Sequence, residues 1–287
     1  MVQKNTFVQR HRLIWLAFLL STRVWSPWKV SSGNISHINR VVTLSPGSVC
    51  PELRRLSFWP TGTDGATWWF YSIISSPFLV RQQAEFALFV IEPLPSVTFN
   101  RALLMNIGFV EALKTNNFTC FIFHDVDLLP VTDHNLYRCG ATPRHMAVSN
   151  SKLDNVSFPE YAGGVVAVSR DVYQHVNGHS NLYFGWGGED DDLLYRLNWK
   201  HYTMSRYPPA VGRYIALNHT EDVGNPVSAT RLAMLETAEK RLEEDGLNTL
   251  KYKIVHKKHK LFYTWIQVDI DMKYYSSMIS KWHPEQN

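Results

Sequence analysis

Three cysteines in 287 residues, Cys50, Cys120 and Cys139, are too few for a disulfide framework. An oxidising compartment would leave them one bridge and one spare thiol, a reducing one three free thiols. The chain also lacks a strong excess of either charge. Its formal net charge is +4, and its basic residues are scattered or gathered in Lys251 to Lys260 without interleaved aromatics. Such a surface does not suit base stacking, so no nucleic-acid partner is expected. There is no internal repeat, and no apolar run approaches the roughly 20 residues that span a bilayer comfortably.

What the chain does hold, 45 % apolar and 13 % aromatic residues, is enough for a substantial core. Near the N-terminus Lys4, Arg10 and Arg12 precede "LIWLAFLL", Leu13 to Leu20, resembling the basic and apolar regions of a secretory signal. Extended to Trp28, the run encloses Arg23, tolerable near an interface by snorkelling. Residues 1–30 thus read as a cleaved signal peptide or a signal anchor with its basic flank in the cytoplasm, against an ordinary amphipathic helix. Residues 31–48 are Ser/Asn-rich and read as a stem, 49–275 as one domain and 276–287 as a tail. Sequons at Asn34, Asn117 and Asn155 are glycosylation candidates that fit secretory passage.

Within the domain, "EFALFVIE" (Glu85–Glu92) and "FTCFIFHDVDLLP" (Phe118–Pro130) are short apolar runs bounded by turn residues, as in buried strands. Between them Asn100 to Lys114 carries apolar residues at helical spacing. Strand, helix, strand is a crossover unit, so an α/β fold with a mostly parallel sheet flanked by helices is expected. Further strands are expected at Met146–Asn150 and Gly163–Ser169, a short helix at Arg170–Gly178, a long one at Ser228–Leu250 and a terminal strand pair from Tyr252 to Ile270.

Two acidic motifs carry the chemistry. "HDVDLLP" delivers Asp125 and Asp127 to the carboxyl end of an expected strand, the edge where α/β sheets bind ligands. Alternation sends both carboxylates one way and Val126 the other, and two such groups call for a hard divalent cation, Mn²⁺ or Mg²⁺, or for a shared proton. "GWGGEDDD" crowds Glu189, Asp190, Asp191 and Asp192 into one helix start. The helix dipole favours each by only about 0.3 to 1 kcal/mol, so capping alone does not account for four. Asn100 and Arg101, at a strand-to-helix junction, suit a phosphate or nucleotide.

"FNRA", "DVDLLP" with "DHNLYRC", "AGGVVAVS", "NGHSNLYFGWGGEDDDLLYRL", "VGRYIALNH" and "DGLNTLKYKI" occur in an order and spacing that resemble the β-1,4-galactosyltransferase family, from about Cys50 to Ile270. The resemblance implies a nucleotide-sugar-binding glycosyltransferase fold (GT-A type) and inverting, Mn²⁺-dependent transfer of galactose from UDP-galactose to N-acetylglucosamine or another acceptor on a glycoprotein or glycolipid. It also implies a Golgi, single-pass type II membrane protein with a lumenal catalytic domain; a secreted form is the alternative. By motif, Arg101, Asp125, Val126, Asp127, Tyr161 and Trp186 would line the donor, with Asp127 and His219 as metal ligands. Trp186, Gly187, Gly188, Glu189, Asp190 and Asp191 would hold the acceptor, with Glu189 and Asp190 catalytic and Asp190 the base. Asp192 is left as a plain helix-start acid, and Cys120 with Cys139 matches the family's disulfide. Tyr161 falls where the family pairs a tyrosine with UDP-galactose and a smaller residue with UDP-N-acetylgalactosamine.

The chain departs from the pattern at Gly62 and Asp64, where arginines grip the nucleotide, at Ala216, where a methionine binds metal, and at Ser228 and Ala229, where an Arg-Phe pair walls the acceptor pocket. Cys50 has no evident partner, and a glycan on Asn218 would obstruct His219, so that sequon is expected to be unused. These departures leave two competing expectations, a degenerate member that binds a sugar or a partner without catalysis and a transferase that uses UDP-N-acetylgalactosamine.

Overall fold

The computed structural model describes residues 15–21, 77–82, 85–151, 161–216, 225–260 and 263–283. Eleven strands fall in two sheets among these residues. The larger sheet runs, in spatial order, β10 (Tyr252–His259), β11 (Thr264–Ile270), β2 (Glu85–Pro93), β1 (Trp15–Ser21), β3 (Cys120–His124), β7 (Val165–Ser169), β5 (Arg144–His145) and β8 (Ser205–Arg206). The smaller joins β4 (Leu128–Pro130), β9 (Arg213–Ala216) and β6 (Ser149–Asn150).

The expected crossover is present, with a difference. β2 and β3 run the same way, joined by the helix α2 (Arg101–Leu113), but β1 lies between them and antiparallel to both. β7 also returns antiparallel on β3, β5 on β7, and β10 on β11, while β2 with β11 and β5 with β8 pair in parallel. The sheet is therefore mixed and mostly antiparallel, not mostly parallel. The terminal hairpin was expected from its alternation, but the strand drawn from the N-terminal apolar run and the returns of β7 and β5 supply antiparallel neighbours that no local pattern announces. No helix among the described residues is long and apolar enough to cross a membrane.

Alternation along the strands splits the core into two layers. Phe89, Ile91, Phe121, Phe123, Val166 and Val168 face α2 and the helix α4 (Glu189–Trp199). Leu88, Val90, Ile122, Val165 and Ala167 face the opposite side, with Phe78 of α1 (Pro77–Arg81), Tyr137 and Tyr214. Burial on both faces explains why these strands read as near-continuous apolar runs. The Cys120–Cys139 bond is formed, tying the start of β3 to the loop that follows β4.

The helix α3 (Arg170–His175) follows β7 directly. The long helix expected at Ser228–Leu250 is instead two short ones, α5 (Arg231–Glu236) and α6 (Ala238–Arg241), interrupted at Thr237, whose hydroxyl bonds back to the Ala233 carbonyl. Past the terminal strands, Met272–Trp282 forms α7, capped by the Asp271 side chain and packed through the buried Tyr275, so helix continues into the stretch read as a tail.

Candidate active site

Three elements meet at one end of the large sheet. α2 begins at Arg101, its N-cap Asn100 accepting from the Leu103 amide at 2.9 Å. β3 ends at His124 and releases Asp125, Val126 and Asp127 into a turn before β4. α4 begins at Glu189, preceded by Gly188 in the left-handed region (φ 95°), where a Cβ would strike the Tyr183 ring.

Arg101 is the meeting point. Its guanidinium donates to Asp125 from Nε and Nη2 at 3.0 and 2.6 Å, to Asp190 from Nη1 at 2.5 Å, and reaches Glu189 at 3.5 Å. It is 7 % exposed, so its charge is met by protein groups rather than water, these carboxylates among them. Burial works against that charge, yet the three acids outweigh it and hold Arg101 well above its ordinary range. Burial raises Asp125, helped by Asp127 and Asp190 and opposed by Arg101. Glu189 is pushed up to about 7 by burial and then by the neighbouring Asp190 charge. Its Oε2 is buried without a hydrogen-bond partner, leaving an acceptor position for an incoming hydroxyl.

Tyr161 and Asp190 both press against Gly163, where a Cβ would collide with the Tyr161 hydroxyl and the Asp190 carboxylate. Trp186 is 59 % exposed, its backbone clipped to Pro226 and Ser228 and its ring 6.0 Å from the Arg231 guanidinium. Gly187, like Gly188, has positive φ. Glu189, Asp190, Asp125 and Arg101 are thus brought into one constellation, with Val126 buried beneath, Asp191 half-buried and raised chiefly by burial, and Trp186 at the rim.

Asp192 differs from the reading as a plain helix-start acid. It is fully buried, bonded to Arg196, to the Tyr183 hydroxyl at 2.9 Å and to Arg241 at 3.3 Å. Sequence reasoning also missed His145 and His124. Buried His145 donates from Nε2 to the Gly163 carbonyl at 2.8 Å and stands edge-on to Tyr161, while burial lowers it to about 4 and keeps it neutral. His124, lowered by burial to about 3, links the Asp125 carbonyl to the Tyr137 hydroxyl. His124 ends a short apolar run whose pattern signals only a strand, and His145 falls just before the strand expected at Met146–Asn150.

Among the described residues no cluster of three metal-ligating side chains is present. Asp127 supplies one hard carboxylate, and β4 pairs its neighbour Leu128 with Ala216. Ala216 itself offers no donor side chain. His219, Asn218, Asn34, Asn155, Cys50, Gly62 and Asp64 lie outside the described residues. Asn117 is exposed in the turn before β3, accepting from Arg170.

Residues 67–140 match the model for the N-terminal region of glycosyl transferase group 7, and residues 143–220 that described as the N-terminal domain of galactosyltransferase. The chain belongs to the β-1,4-galactosyltransferase family. It is 45 % identical over 194 residues to β-1,4-galactosyltransferase 4 of Rattus norvegicus, covering 67 % of this chain and 56 % of that one. To β-1,4-galactosyltransferase 1 of Homo sapiens it is 40 % identical over 204 residues, 71 % and 51 % of the two chains. It therefore spans about half the length of these relatives. The catalytic domain of Drosophila β-1,4-galactosyltransferase 7, solved with xylobiose, superposes with a TM-score of 0.59 at 27 % identity over 71 % of this chain and 88 % of that one. A mutant of that enzyme was solved with manganese, UDP-Gal and xylobiose, and matches with a TM-score of 0.59 at 26 % identity.

Proposed function

We propose that the chain transfers galactose from UDP-galactose to a sugar hydroxyl with inversion, making a β-1,4 linkage to an N-acetylglucosamine-type or other acceptor on a glycoprotein or glycolipid. The observation that carries this reading is the Arg101 guanidinium bridging the strand-end Asp125 to the helix-start Asp190. It joins a site for an anionic donor to a carboxylate that can take a proton. The family membership and the UDP-Gal and xylobiose held by the Drosophila enzyme support it.

Asp190 takes the proton of the attacking hydroxyl as that oxygen bonds to the anomeric carbon and UDP departs. Glu189 and Asp191 orient the acceptor ring, and Trp186 covers it. Tyr161 fills the space beside Gly163 in which a bulkier donor substituent would sit, favouring galactose over N-acetylgalactosamine. Asp127, with His219, would hold Mn²⁺, which when bound supplies positive charge for the departing diphosphate. Residence in Golgi membranes with the domain lumenal belongs to the same reading.

Calorimetry with UDP-galactose, with and without Mn²⁺, followed by transfer to an N-acetylglucosamine acceptor, tests it. Mn²⁺-dependent binding and a galactosylated product are expected. No UDP-galactose binding at millimolar concentration would refute the enzyme, and binding without transfer would favour the sugar-binding alternative.

A further inference from the structure

We propose that Asp245, in "DGLNTLKYKI", is the positioning residue that sets Asp190 against Arg101. The inference rests on Asp190 being the base. Arg101 and Asp190 stand at the first turns of two separate helices, α2 and α4, so their contact is only as fixed as the relation between those helices. Behind the contact lies a polar web with Asp245, fully buried, at its centre.

One arm runs to α4. Asp245 accepts from Arg241 and, at 3.5 Å, from Arg196, whose Nη1 also donates to the Asp245 carbonyl at 2.7 Å. Both arginines bond Asp192 on the same helix turn as Asp190, and all four groups of this double ion pair are 0 % exposed. The other arm runs to α2. Asp245 accepts from the Ser180 hydroxyl at 2.5 Å and from the Asn181 amide at 2.8 Å. The Asn181 carbonyl then accepts from the Asn100 side chain at 2.7 Å, holding the cap that precedes Arg101. The Asn181 side chain is held separately, by Asn106 at 2.9 Å and the Gly246 carbonyl at 2.6 Å.

The two arms are unequal. Without the Asp245 carboxylate, α2 keeps its Asn106 and Gly246 ties, whereas α4 loses the counter-charge that seats both arginines against Asp192. Asp190 therefore moves relative to a donor site that stays in place. Misplacing a reacting group by about an ångström costs up to about a hundredfold in rate.

The test is Asp245→Asn in the full chain. Transfer kcat should fall about tenfold to a hundredfold with KM for UDP-galactose changed less than about threefold, because Asp190 shifts and the donor grip does not. The ratio of UDP-galactose hydrolysis to transfer should rise, since water needs no aligned acceptor; simple loss of folded protein lowers both rates together. Amide hydrogen exchange should quicken in Glu189–Leu193 and not in Cys120–His124. Wild-type kcat and wild-type exchange at α4 in the folded variant would overturn the proposal. If Asp245→Asn does not fold, Ser180→Ala and Arg241→Lys decide in the same assays, and a wild-type ratio and wild-type exchange in both would overturn it. A wild-type chain without transfer refutes the enzyme reading alone, and the exchange measurement then decides the placement of α4.

Discussion

The two sides of the site are built to different standards. On the acceptor side, α4 carries its acids on a fully buried double ion pair, with Tyr183 and Ser180 bonded into it. On the side proposed for the donor, Asp125 and Asp127 sit in a half-buried turn, Ala216 has no donor side chain, and Arg101 pairs with Asp125. Buried charges break strongly when one partner is lost, so the acceptor side tolerates little change.

Substitutions on the two sides should therefore act differently. Asp190→Asn is expected to have the largest effect, lowering kcat about a thousandfold, as for loss of a general base, with UDP affinity by calorimetry within about twofold. Equal losses in kcat and UDP affinity would erase the division between the sides. Arg101→Lys should be felt on both, since an ammonium cannot replace a guanidinium shared between two carboxylates. We expect kcat/KM to drop about a hundredfold, with weaker UDP binding. Tyr161→Leu should act through the donor alone, shifting the ratio of UDP-N-acetylgalactosamine to UDP-galactose use by about tenfold or more without altering acceptor KM. A changed acceptor KM with unchanged donor choice would move Tyr161 to the other side.

The smallest effect is on stability. Glu189 keeps its proton up to about pH 7 in the folded chain, against an ordinary value of 4.5. A raised folded pKa stabilises fully below the unfolded value, and that stabilisation is lost as pH rises through the folded one. The wild type should thus lose about 1 to 3 kcal/mol between pH 4.5 and 8 that Glu189→Gln does not lose, measured by urea unfolding. Parallel pH profiles for the two proteins would show that Glu189 is not the strained member of the cluster.

Much of this was legible from local pattern. The runs at Glu85–Glu92 and Phe118–Pro130, the helix after Asn100 and the acid-rich start of α4 follow from period, capping and turn residues. The D-V-D motif's place at a strand end follows from the buried run Cys120–Phe123 before it, whereas the alternation expected to set its side chains does not apply, because Asp125–Asp127 form a turn. What was hidden depends on distant partners. Asp192 looks like its neighbours until Arg241 and Asp245 fold back on it, and the sheet's antiparallel order is fixed by pairings between segments far apart in the chain. His145 was missed because a buried neutral histidine leaves no pattern in a sequence. The break at Thr237 was missed because its flanks keep helical spacing.

β1 belongs to this hidden class. Its seven residues come from the first apolar run of the chain, yet their partners are Glu85–Ile91 on one side and Cys120–His124 on the other. As the chain is synthesised, this stretch emerges first and waits unpaired until both partners have been made, a long-range closure of the kind that slows folding. In the sheet order β2 and β3 meet only through β1, so the two halves of the large sheet on either side of it are joined by the backbone of these seven residues.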